Sequence, residues 1–343
     1  MVNKITRRSV LLGGAAIALL AAVYSRTPFW GAVYKPAVLG RPVPGRSSFD
    51  EFSTAEQVTE GIDLSGKTAL VTGCNSGLGF ETMRVLAMRG AHVIGAARSK
   101  EKAETACGKI DGQTTPLVVE LTDLPGIVIA ANQVADLDVP LDMLILNAGI
   151  MALQEHRQAN GIEMQLAVNH LGHFLLANRL RDQVIAAQQG RVVVLSSRAH
   201  VWGPKEGIQF NNLSGDMDYD PLVAYGQSKL ANGLFSREFA RRLAHTNVTC
   251  NSLHPGVIKT NLFRHVPGSD DPDDKPKRYR YKKTIAQGAA TTCYVATSPD
   301  LADVTGYYFS DCNPSVPNKH MQDDELAAKL WEVSEELTAD YLS

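Results

Sequence analysis

The sequence predicts a single α/β domain whose core is a doubly wound parallel sheet of about seven strands with helices on both faces. From Lys67 onward, short runs rich in β-branched residues alternate with longer segments whose apolar residues recur at helical spacing. The runs interpreted as buried strands are KTALVT, AHVIGA, TPLVVEL, DMLILNAG, GRVVVLSS and NVTCNSLHPG. Such alternation indicates parallel strands joined by right-handed crossovers, with ligands bound at the carboxyl ends of the strands.

Composition is that of a globular protein with a sizeable core. Of the 343 residues, 44% are hydrophobic and 20% are charged. The formal net charge of −2 argues against a nucleic-acid partner, which would require a basic face. The cysteines are scattered, with neither a CxxC pair nor metal-ligand spacing, so neither a disulfide framework nor a metal site is expected. They are Cys74, Cys107, Cys250, Cys293 and Cys312.

The N-terminal part of the chain is predicted to lie outside this domain. Residues 1–25 are interpreted as a targeting or anchor segment, residues 26–53 as a linker rich in Pro, Gly and Ser, and residues 54–343 as the domain. No charge occurs from Ser9 to Ser25, but this run is shorter than the roughly 20 strongly apolar residues of a spanning helix.

The segment TRRSVLL resembles the twin-arginine export signal of bacteria, S/T-R-R-x-F-L, with Val10 in the place of Phe. The resemblance predicts export to the bacterial periplasm, or retention at the inner membrane if the signal is uncleaved. The alternative is an ordinary basic region before a membrane anchor, which would leave the domain on the cytoplasmic face of the membrane. Membrane association through residues 1–25 stays open.

The turn after the first strand has the glycine pattern of a nucleotide-binding site. Gly73, Gly77 and Gly79 lie where a strand ends and a helix begins, and a second strand follows. Glycine allows positive φ angles and close approach of a ligand, and a helix N-terminus favours phosphate oxygens. Glycines alone are weak evidence, but in this strand–turn–helix–strand context they predict a bound dinucleotide.

The end of the second strand indicates which dinucleotide is bound. An acidic residue there would hydrogen-bond the ribose 2′-hydroxyl of NAD, but the strand ends AARS, with Arg98 and no acid. A guanidinium pairs well with a 2′-phosphate. The pattern favours NADP(H), and the alternative is a solvated surface arginine.

Six motifs carry a resemblance to a known family. TGCNSGLG, LNAG, VNHLGHF, VVVLSS, YGQSK and LHPGVIKT occur in the order and spacing of the short-chain dehydrogenase/reductase family, from about Thr54 to Cys312. The motifs AYGQSKLAN, VNHLGHFLL and GYYFSDC are most similar to its retinol-dehydrogenase-like, NADP-preferring branch. The resemblance implies a Rossmann-type fold and hydride transfer between NADP(H) and the alcohol or carbonyl group of a substrate.

A tyrosine and a lysine carry the predicted proton chemistry. Tyr225 and Lys229 are spaced to share one helical face, and a neighbouring ammonium favours a phenolate at a pH well below the usual tyrosine pKa of about 10. Ser197, at the carboxyl end of a strand, can hold the substrate oxygen. A second pair, Tyr279 and Lys283, lies in a charged stretch and is interpreted as a solvated face.

The family pattern assigns further roles. Asn169 is expected to hold a water in a proton relay that ends at the lysine, and Ser196 to be structural. His170 and His173 are expected to pack or form local hydrogen bonds rather than to bind a metal. The catalytic residues implied are Asn169, Ser197, Tyr225 and Lys229. The cofactor-binding residues implied are Gly73, Asn75, Ser76, Gly77, Leu78, Gly79, Arg98, Glu120, Leu121, Asn147, Ala148, Gly149, Tyr225, Lys229, Pro255, Gly256 and Thr260.

One departure from the family pattern concerns the contact with adenine, because Glu120 stands where the family usually has Asp.

The substrate is expected under a lid at about residues 262–281, whose sequence LFRHVPGSDDPDDKPKRYRY is charged and typical of a solvated segment. A small lipophilic alcohol, aldehyde or ketone is the expected substrate. The alternatives are a non-catalytic NADP-binding sensor or scaffold and a carbon–carbon double-bond reductase of the same fold. A homo-oligomer stays open.

Overall fold

The computed structural model describes residues 34–38, 40–266 and 283–342. The chain divides into two units, Met1–Lys35 and Pro36–Ser343, and the second is an α/β domain with a mostly parallel central sheet. The predicted targeting segment lies outside the described residues, as does most of the predicted lid. In the described part of the chain, no helix combines the length and apolarity that crossing a membrane requires.

The strands fall where the sequence predicts buried runs, with short additions. They are β1 (Thr68–Thr72), β2 (His92–Ala97), β3 (Thr114–Val118), β4 (Met143–Leu146), β5 (Gln158–Ala159), β6 (Ile162–Glu163), β7 (Arg191–Leu195), β8 (Thr249–His254), β9 (Tyr308–Ser310) and β10 (Asn313–Pro314). Eight of them form one sheet in the order β3-β2-β1-β4-β7-β8-β9-β10, and β5 and β6 form a separate hairpin. All neighbours in the large sheet are parallel except β9 and β10.

Helices connect the strands and cover both faces of the sheet. They are α1 (Ala55–Val58), α2 (Gly77–Met88), α3 (Lys100–Cys107), α4 (Leu124–Ala135), α5 (Met164–Leu166), α6 (Gly172–Arg179), α7 (Arg181–Ala186), α8 (Pro221–Arg242), α9 (Ile285–Thr297), α10 (Asp324–Leu337) and α11 (Ala339–Leu342). A π-helical turn, Ala167–Leu171, joins α5 to α6, and 3₁₀ turns at Arg198–Trp202 and Asn261–His265 follow β7 and β8.

The central strands are buried along their whole length, which explains why apolar residues follow one another in their middle positions instead of alternating with polar ones. Leu70 of β1 lies between Ile94 of β2 and Leu144 of β4, and all three are buried in one large core cluster. By contrast, the prediction of a buried strand is wrong for β3, in which only Leu117 is buried. This strand lies at the edge of the sheet and accommodates Pro116, which cannot donate a backbone hydrogen bond to a neighbour.

The order of the strands reverses between β1 and β4, because the chain runs outward to β3 before it returns to β4. Crossovers on the two sides of this point leave a crevice at the carboxyl ends of the strands, where doubly wound sheets bind ligands. The topology therefore places the predicted site between the turn after β1 and the loops after β4, β7 and β8.

Part of the segment assigned as a linker contacts the domain. Arg41 donates hydrogen bonds of 2.9 Å to the carbonyl oxygens of Ala244 and Thr246. The backbone N–H of Ser47 donates to Asn313, and the ring of Phe49 lies edge-on to that of Tyr294 at 5.8 Å between centroids. The boundaries at residues 25 and 53 stay predictions, but the described residues of this segment from Pro36 onward fall within the same unit as the sheet.

Candidate functional site

A cleft of about 1000 Å³ opens at the carboxyl ends of the parallel strands. Every residue predicted for catalysis or cofactor binding lines it, except Asn169, which lies just behind its wall. The structure therefore brings the predicted residues together in one cavity. Their individual roles stay predictions.

The glycine turn after β1 is shaped for a phosphate. Gly73 and Gly77 have φ angles of +70° and +57°, which disfavour other residues. A Cβ atom on Gly79 would collide with the carbonyl oxygen of Gly73 and lie 2.5 Å from Nδ2 of Asn147. Helix α2 begins at Gly77, and the side chain of Ser76 does not cap it, so its first N–H groups are available to an anion. The glycine turn thus leaves space in front of the backbone N–H groups of α2, and this arrangement fits the phosphates of a dinucleotide.

A hydroxyl in β1 anchors the loop that follows β4. The backbone N–H groups of Asn147 and Ala148 donate to Oγ1 of Thr72 at 2.9 and 3.0 Å. Nδ2 of Asn147 donates to the Thr72 carbonyl oxygen at 2.7 Å. Oγ1 of Thr72 also lies 2.9 Å from Nε2 of His173 on α6. These bonds fix residues 147–149 against the glycine turn.

Asn169 lies in the π-helical turn between α5 and α6 and is fully buried. Its Oδ1 accepts from the N–H of Ile150 at 2.8 Å, and its Nδ2 donates to the Ile150 carbonyl oxygen at 3.0 Å and to Oγ of Ser228 at 2.9 Å. The side chain thus joins the loop after β4 to helix α8. A π-helical turn is frequent at functional sites and aims the amide away from its own helix.

Helix α8 presents Tyr225 and Lys229 to the cleft. It starts at Pro221, and the Asp220 carboxylate caps it by accepting from two N–H groups. Nζ of Lys229 donates to the Leu195 carbonyl oxygen at 3.0 Å and lies 5.8 Å from the centroid of the Tyr225 ring. Burial lowers the pKa of Lys229 to about 7. The lysine can therefore change charge near neutral pH.

Ser197 occupies the second position after β7, where it caps the 3₁₀ turn Arg198–Trp202. Its Oγ accepts from the N–H of Ala199 at 3.1 Å, and its carbonyl oxygen accepts from Nδ1 of His200 at 2.6 Å. Ser196, the neighbour expected to be structural, donates instead to the Lys229 carbonyl oxygen at 2.6 Å. The two serines therefore differ in their hydrogen bonds: Ser196 binds helix α8, whereas Ser197 caps the turn that follows it.

Two buried histidines beside Ser197 were missed by the sequence analysis. His200 holds the Ser197 carbonyl oxygen through Nδ1, while its Nε2 accepts from the N–H of Asn318 at 3.1 Å. Nδ1 of His254, the last residue of β8, accepts from the N–H of Arg198 at 3.1 Å. Burial lowers the pKa of both imidazoles, to about 3 for His254, so both are neutral. Single histidines before a turn give no sequence signal.

Positive charge collects at the end of the cleft beyond β2. Arg98 is exposed there, and Lys102 of α3 and Arg264 of the turn Asn261–His265 line the same cleft. Glu120 also lines it, with its carboxylate accepting from the hydroxyl of Thr122 at 3.1 Å. Lys102, one helical turn after Arg98, could have been found from its spacing. Arg264 could not, because it lies inside the segment interpreted as a solvated lid.

The opposite end of the cleft, around Tyr225, is apolar. A small buried cluster surrounds that ring, and partly buried side chains extend it. The buried members are Met151, Ala152, Ala199, Tyr225 and Phe263, and the partly buried ones are Leu222, Val257, Leu262 and Val266. The phenol thus faces a wall suited to a hydrocarbon group.

The interpretation of Lys283 as a solvated residue is wrong. Its side chain is only 6% exposed, its Nζ lies 2.5 Å from Oδ1 of Asp311, and its stem packs against Gly256. The backbone of Lys283 pairs with Ile258, which carries it under the loop after β8. Tyr279 lies outside the described residues. Within the described residues, no group of three or more metal-ligating side chains gathers.

Known proteins resemble the chain over most of its length. The family model for short chain dehydrogenase matches residues 67–270. The short-chain dehydrogenase TIC 32 A, chloroplastic, of Brassica napus is 44% identical over 302 residues, which are 84% of this chain and 94% of that protein. Retinol dehydrogenase 14 of Mus musculus is 39% identical over 289 residues, which are 79% of this chain and 86% of that protein.

The prediction of export to a bacterial periplasm is wrong. The finding that overturns it is the relationship to the Brassica napus proteins, which are chloroplastic and 44% identical. Two arginines before an apolar run occur in many basic N-terminal regions, so the pattern is too short to specify an export pathway. The segment itself lies outside the described residues.

Solved structures agree with the sequence relatives. A crystal structure of an uncharacterised protein from Mycobacterium paratuberculosis has a TM-score of 0.68 at 34% identity, covering 82% of this chain and 97% of that one. The 3-ketoacyl-(acyl-carrier-protein) reductase of Brucella melitensis, complexed with NADH, has a TM-score of 0.56 at 21% identity, covering 72% and 97%, a likeness of fold alone. Since the family model spans more than half of the chain, this protein belongs to the short-chain dehydrogenase family, a family of oxidoreductases that use a nicotinamide cofactor.

Proposed function

We propose that the protein is an NADP(H)-dependent oxidoreductase that interconverts the alcohol and carbonyl forms of a small lipophilic substrate. One observation carries the proposal: Tyr225, Lys229 and Ser197 meet in the same cleft as the glycine turn. Groups able to hold a substrate oxygen and exchange its proton thus share a cavity with a phosphate cradle. When bound, the nicotinamide would supply or accept the hydride.

Tyr225 would transfer the proton of the substrate hydroxyl. A phenol does this near neutral pH only if its ionised form is favoured, and the Lys229 ammonium, with Nζ 5.8 Å from the ring centroid, favours it. Since burial lowers the pKa of Lys229 to about 7, the lysine can also take up or release a proton near that pH. Lys229 would therefore both stabilise the phenolate and restore the proton.

Ser197 would orient the substrate oxygen. Its Oγ already accepts the N–H of Ala199 at 3.1 Å, so the hydroxyl proton is left to donate toward the cleft. Asn169 would support the pair on α8, because its amide joins Ile150 to Ser228, the residue before Lys229. Its part in a water relay to the lysine is a prediction carried over from the family resemblance.

Charge supports NADP(H) as the cofactor. Arg98 and Lys102 line the cleft beyond β2, and no carboxylate follows that strand to repel a 2′-phosphate. The apolar wall around Tyr225, formed by residues such as Met151 and Phe263, supports a lipophilic substrate.

A panel assay with the purified full chain tests the proposal. NADPH oxidation would be followed with diverse aldehydes and ketones, and NADP⁺ reduction with the matching alcohols. We expect turnover with apolar substrates and its loss, by more than about 100-fold, in Tyr225→Phe with NADPH binding retained. Tyr294→Phe is the matched control, because it removes the hydroxyl of a buried tyrosine outside the cleft lining.

Two outcomes would replace the proposal. Tight NADPH binding without turnover on any compound would favour a sensor or scaffold. Reduction confined to carbon–carbon double bonds, with carbonyl groups untouched, would assign the same residues to the other reaction.

A further inference from the structure

We propose that Arg264 is a further cation for the 2′-phosphate of the cofactor and faces it from the side opposite Arg98. This inference rests on the proposed use of NADP(H). It assigns a specificity role to the turn Asn261–His265, most of which lies in the segment predicted to be a substrate lid.

The two arginines come from different sides of the cleft. Arg98 follows β2 on one half of the sheet, whereas Arg264 follows β8 on the other half, and both line the same cavity. The turn that carries Arg264 closes against the glycine turn, because Thr260 lies within contact distance of Gly77, 3.2 Å from where its Cβ would be. Arg264 is thus held over the region where the phosphates of a dinucleotide would lie.

The guanidinium of Arg264 is fixed by neutral partners. Its Nη1 donates to the Asn261 carbonyl oxygen at 2.8 Å, and its Nε donates to Nε2 of His265 at 3.1 Å. An imidazole nitrogen that accepts a hydrogen bond carries no proton, so His265 is neutral here. Burial, and then the charge of Arg264, lower the pKa of His265, in agreement with this state. The remaining N–H groups of Arg264 are available to a ligand.

The charge balance of this end of the cleft calls for an anion. Arg98 and Arg264 line one cleft, and two cations so placed repel each other. In agreement with this, burial and then the charge of Arg98 lower the pKa of Arg264. In the ranges 34–38, 40–266 and 283–342, neither arginine forms an ion pair with a carboxylate. A doubly charged phosphate placed between them would relieve the repulsion and accept hydrogen bonds from both guanidinium groups.

The 2′-phosphate fits this position better than the pyrophosphate does. The pyrophosphate already has the uncapped N-terminus of α2 and the glycine turn. Arg264 lines the same cavity as Arg98, which follows β2 at the strand end where the adenosine ribose binds in sheets of this kind. Arg264 therefore belongs with the ribose end of the cofactor.

Binding measurements on the full chain test the inference without any substrate. Dissociation constants for NADPH and NADH would be measured by calorimetry for the parent, Arg264→Gln, Arg98→Gln and the double variant. Lys259→Gln is the matched control, since it removes a charge from an exposed residue of the same loop that does not line the cleft. We expect Arg264→Gln to weaken NADPH about 10- to 100-fold, with NADH changed less than about twofold. Arg264→Lys should restore part of the loss.

The outcomes separate this inference from the proposed function. Equal weakening of NADPH and NADH would assign Arg264 to the pyrophosphate or to loop folding and overturn the inference, and so would an unchanged NADPH affinity. A parent protein that binds NADH as tightly as NADPH would refute the cofactor choice itself. Preference for NADPH that depends on Arg98 alone would leave the proposed function standing and remove only Arg264.

Discussion

His173 connects to Thr72 through a hydrogen bond of 2.9 Å between Nε2 and Oγ1, although the two residues are 101 positions apart in the chain. The other ring nitrogen, Nδ1, lies 3.0 Å from the Asn169 carbonyl oxygen, which can only accept. Nδ1 therefore carries the proton and Nε2 accepts from the Thr72 hydroxyl. That direction leaves the Thr72 oxygen free to accept from Asn147 and Ala148. A neutral histidine in one tautomer thus orients the loop beside the cofactor cradle.

The first prediction concerns coupling between these two residues. Replacing His173 with Leu leaves the Thr72 hydroxyl proton with only the Ile145 carbonyl oxygen at 3.4 Å as acceptor, and it removes the Nδ1–H donor from the buried Asn169 carbonyl oxygen. These losses should lower the free energy of unfolding by about 1–3 kcal/mol. Thr72→Val should cost a similar amount, since the N–H of Ala148 loses its acceptor and the N–H of Asn147 keeps only the Ile145 carbonyl oxygen. Urea unfolding of the double variant should show less than the sum of the two losses. Strictly additive losses would contradict the shared network.

The second prediction concerns acid stability. Burial lowers the pKa of His173 to about 4 in the folded protein, with smaller opposing and reinforcing effects of Asn169 and Lys229. Between pH 6.5 and pH 4, His173 of the unfolded chain binds a proton, because its usual pKa is about 6.5, whereas His173 of the folded protein does not. The free energy of unfolding therefore falls as the pH decreases from about 6.5 to about 4. The loss from this residue is roughly 3 kcal/mol at most. His170 and His254, with pKa values lowered to about 3, act in the same direction.

Urea unfolding between pH 7 and pH 4.5 checks this prediction. The parent should lose stability steadily over the range, and His173→Leu should show a shallower dependence, because one proton-binding group is removed from the unfolded chain. A variant whose dependence matched that of the parent would show that His173 binds its proton equally well in the folded and unfolded states.

The third prediction separates stability from activity at Lys229. Burial lowers the pKa of Lys229 to about 7 in the folded protein. Between pH 7 and about 10.5 the unfolded chain therefore holds a proton that the folded protein has released. This difference lowers the free energy of unfolding, and the loss is complete below pH 7. Lys229→Met removes that cost, and the Leu195 carbonyl oxygen still accepts from Nδ2 of Asn232 at 3.0 Å. We expect the variant to be on the order of 2–4 kcal/mol more stable at pH 7 and to lose turnover.

Unfolding of the cofactor-free protein at pH 7 and pH 10 is the measurement. The stability advantage of Lys229→Met should shrink toward pH 10, because the lysine of the folded parent is then already neutral and its unfolded form is losing its proton. A variant less stable than the parent at pH 7 would show that the ammonium stabilises the fold.

Local patterns in the sequence were enough to predict the sheet and the cleft. β1, β4 and β7 are continuous apolar runs, and a strand followed by a glycine turn and a helix is a short-range signal. Within the residues that the structure describes, the sheet has eight strands, close to the predicted number of about seven. The strand β10 has two residues and pairs antiparallel with β9, so it carries no periodicity to detect.

The contacts that position the site depend on long-range packing and had no such signal. His200 reaches Asn318, and His173 reaches Thr72, across separations that no spacing rule connects. Lys283 follows a run of charges that is typical of solvent-exposed chain, yet its partner Asp311 and the space under Gly256 bury it. A run of charged residues predicts solvent exposure only when the fold provides no partner of opposite charge for them.

The fourth prediction concerns the glycine turn and has an internal control. A methyl group on Gly79 would collide with the Gly73 carbonyl oxygen and approach Nδ2 of Asn147 to 2.5 Å, so Gly79→Ala must displace either the turn or residues 147–149. Both hold the predicted cofactor, and we expect the dissociation constant for NADPH to rise at least about 10-fold, with a loss of stability of roughly 1–3 kcal/mol.

Gly61→Ala provides the comparison, because Gly61 has a φ angle of +73° but open space around its Cβ position. It should cost only the backbone strain of about 1 kcal/mol and leave NADPH affinity unchanged. Calorimetric titration and urea unfolding of both variants separate the two contributions. If Gly79→Ala were to bind NADPH as the parent does, close packing of the glycine turn against Asn147 would not be what shapes the cofactor site.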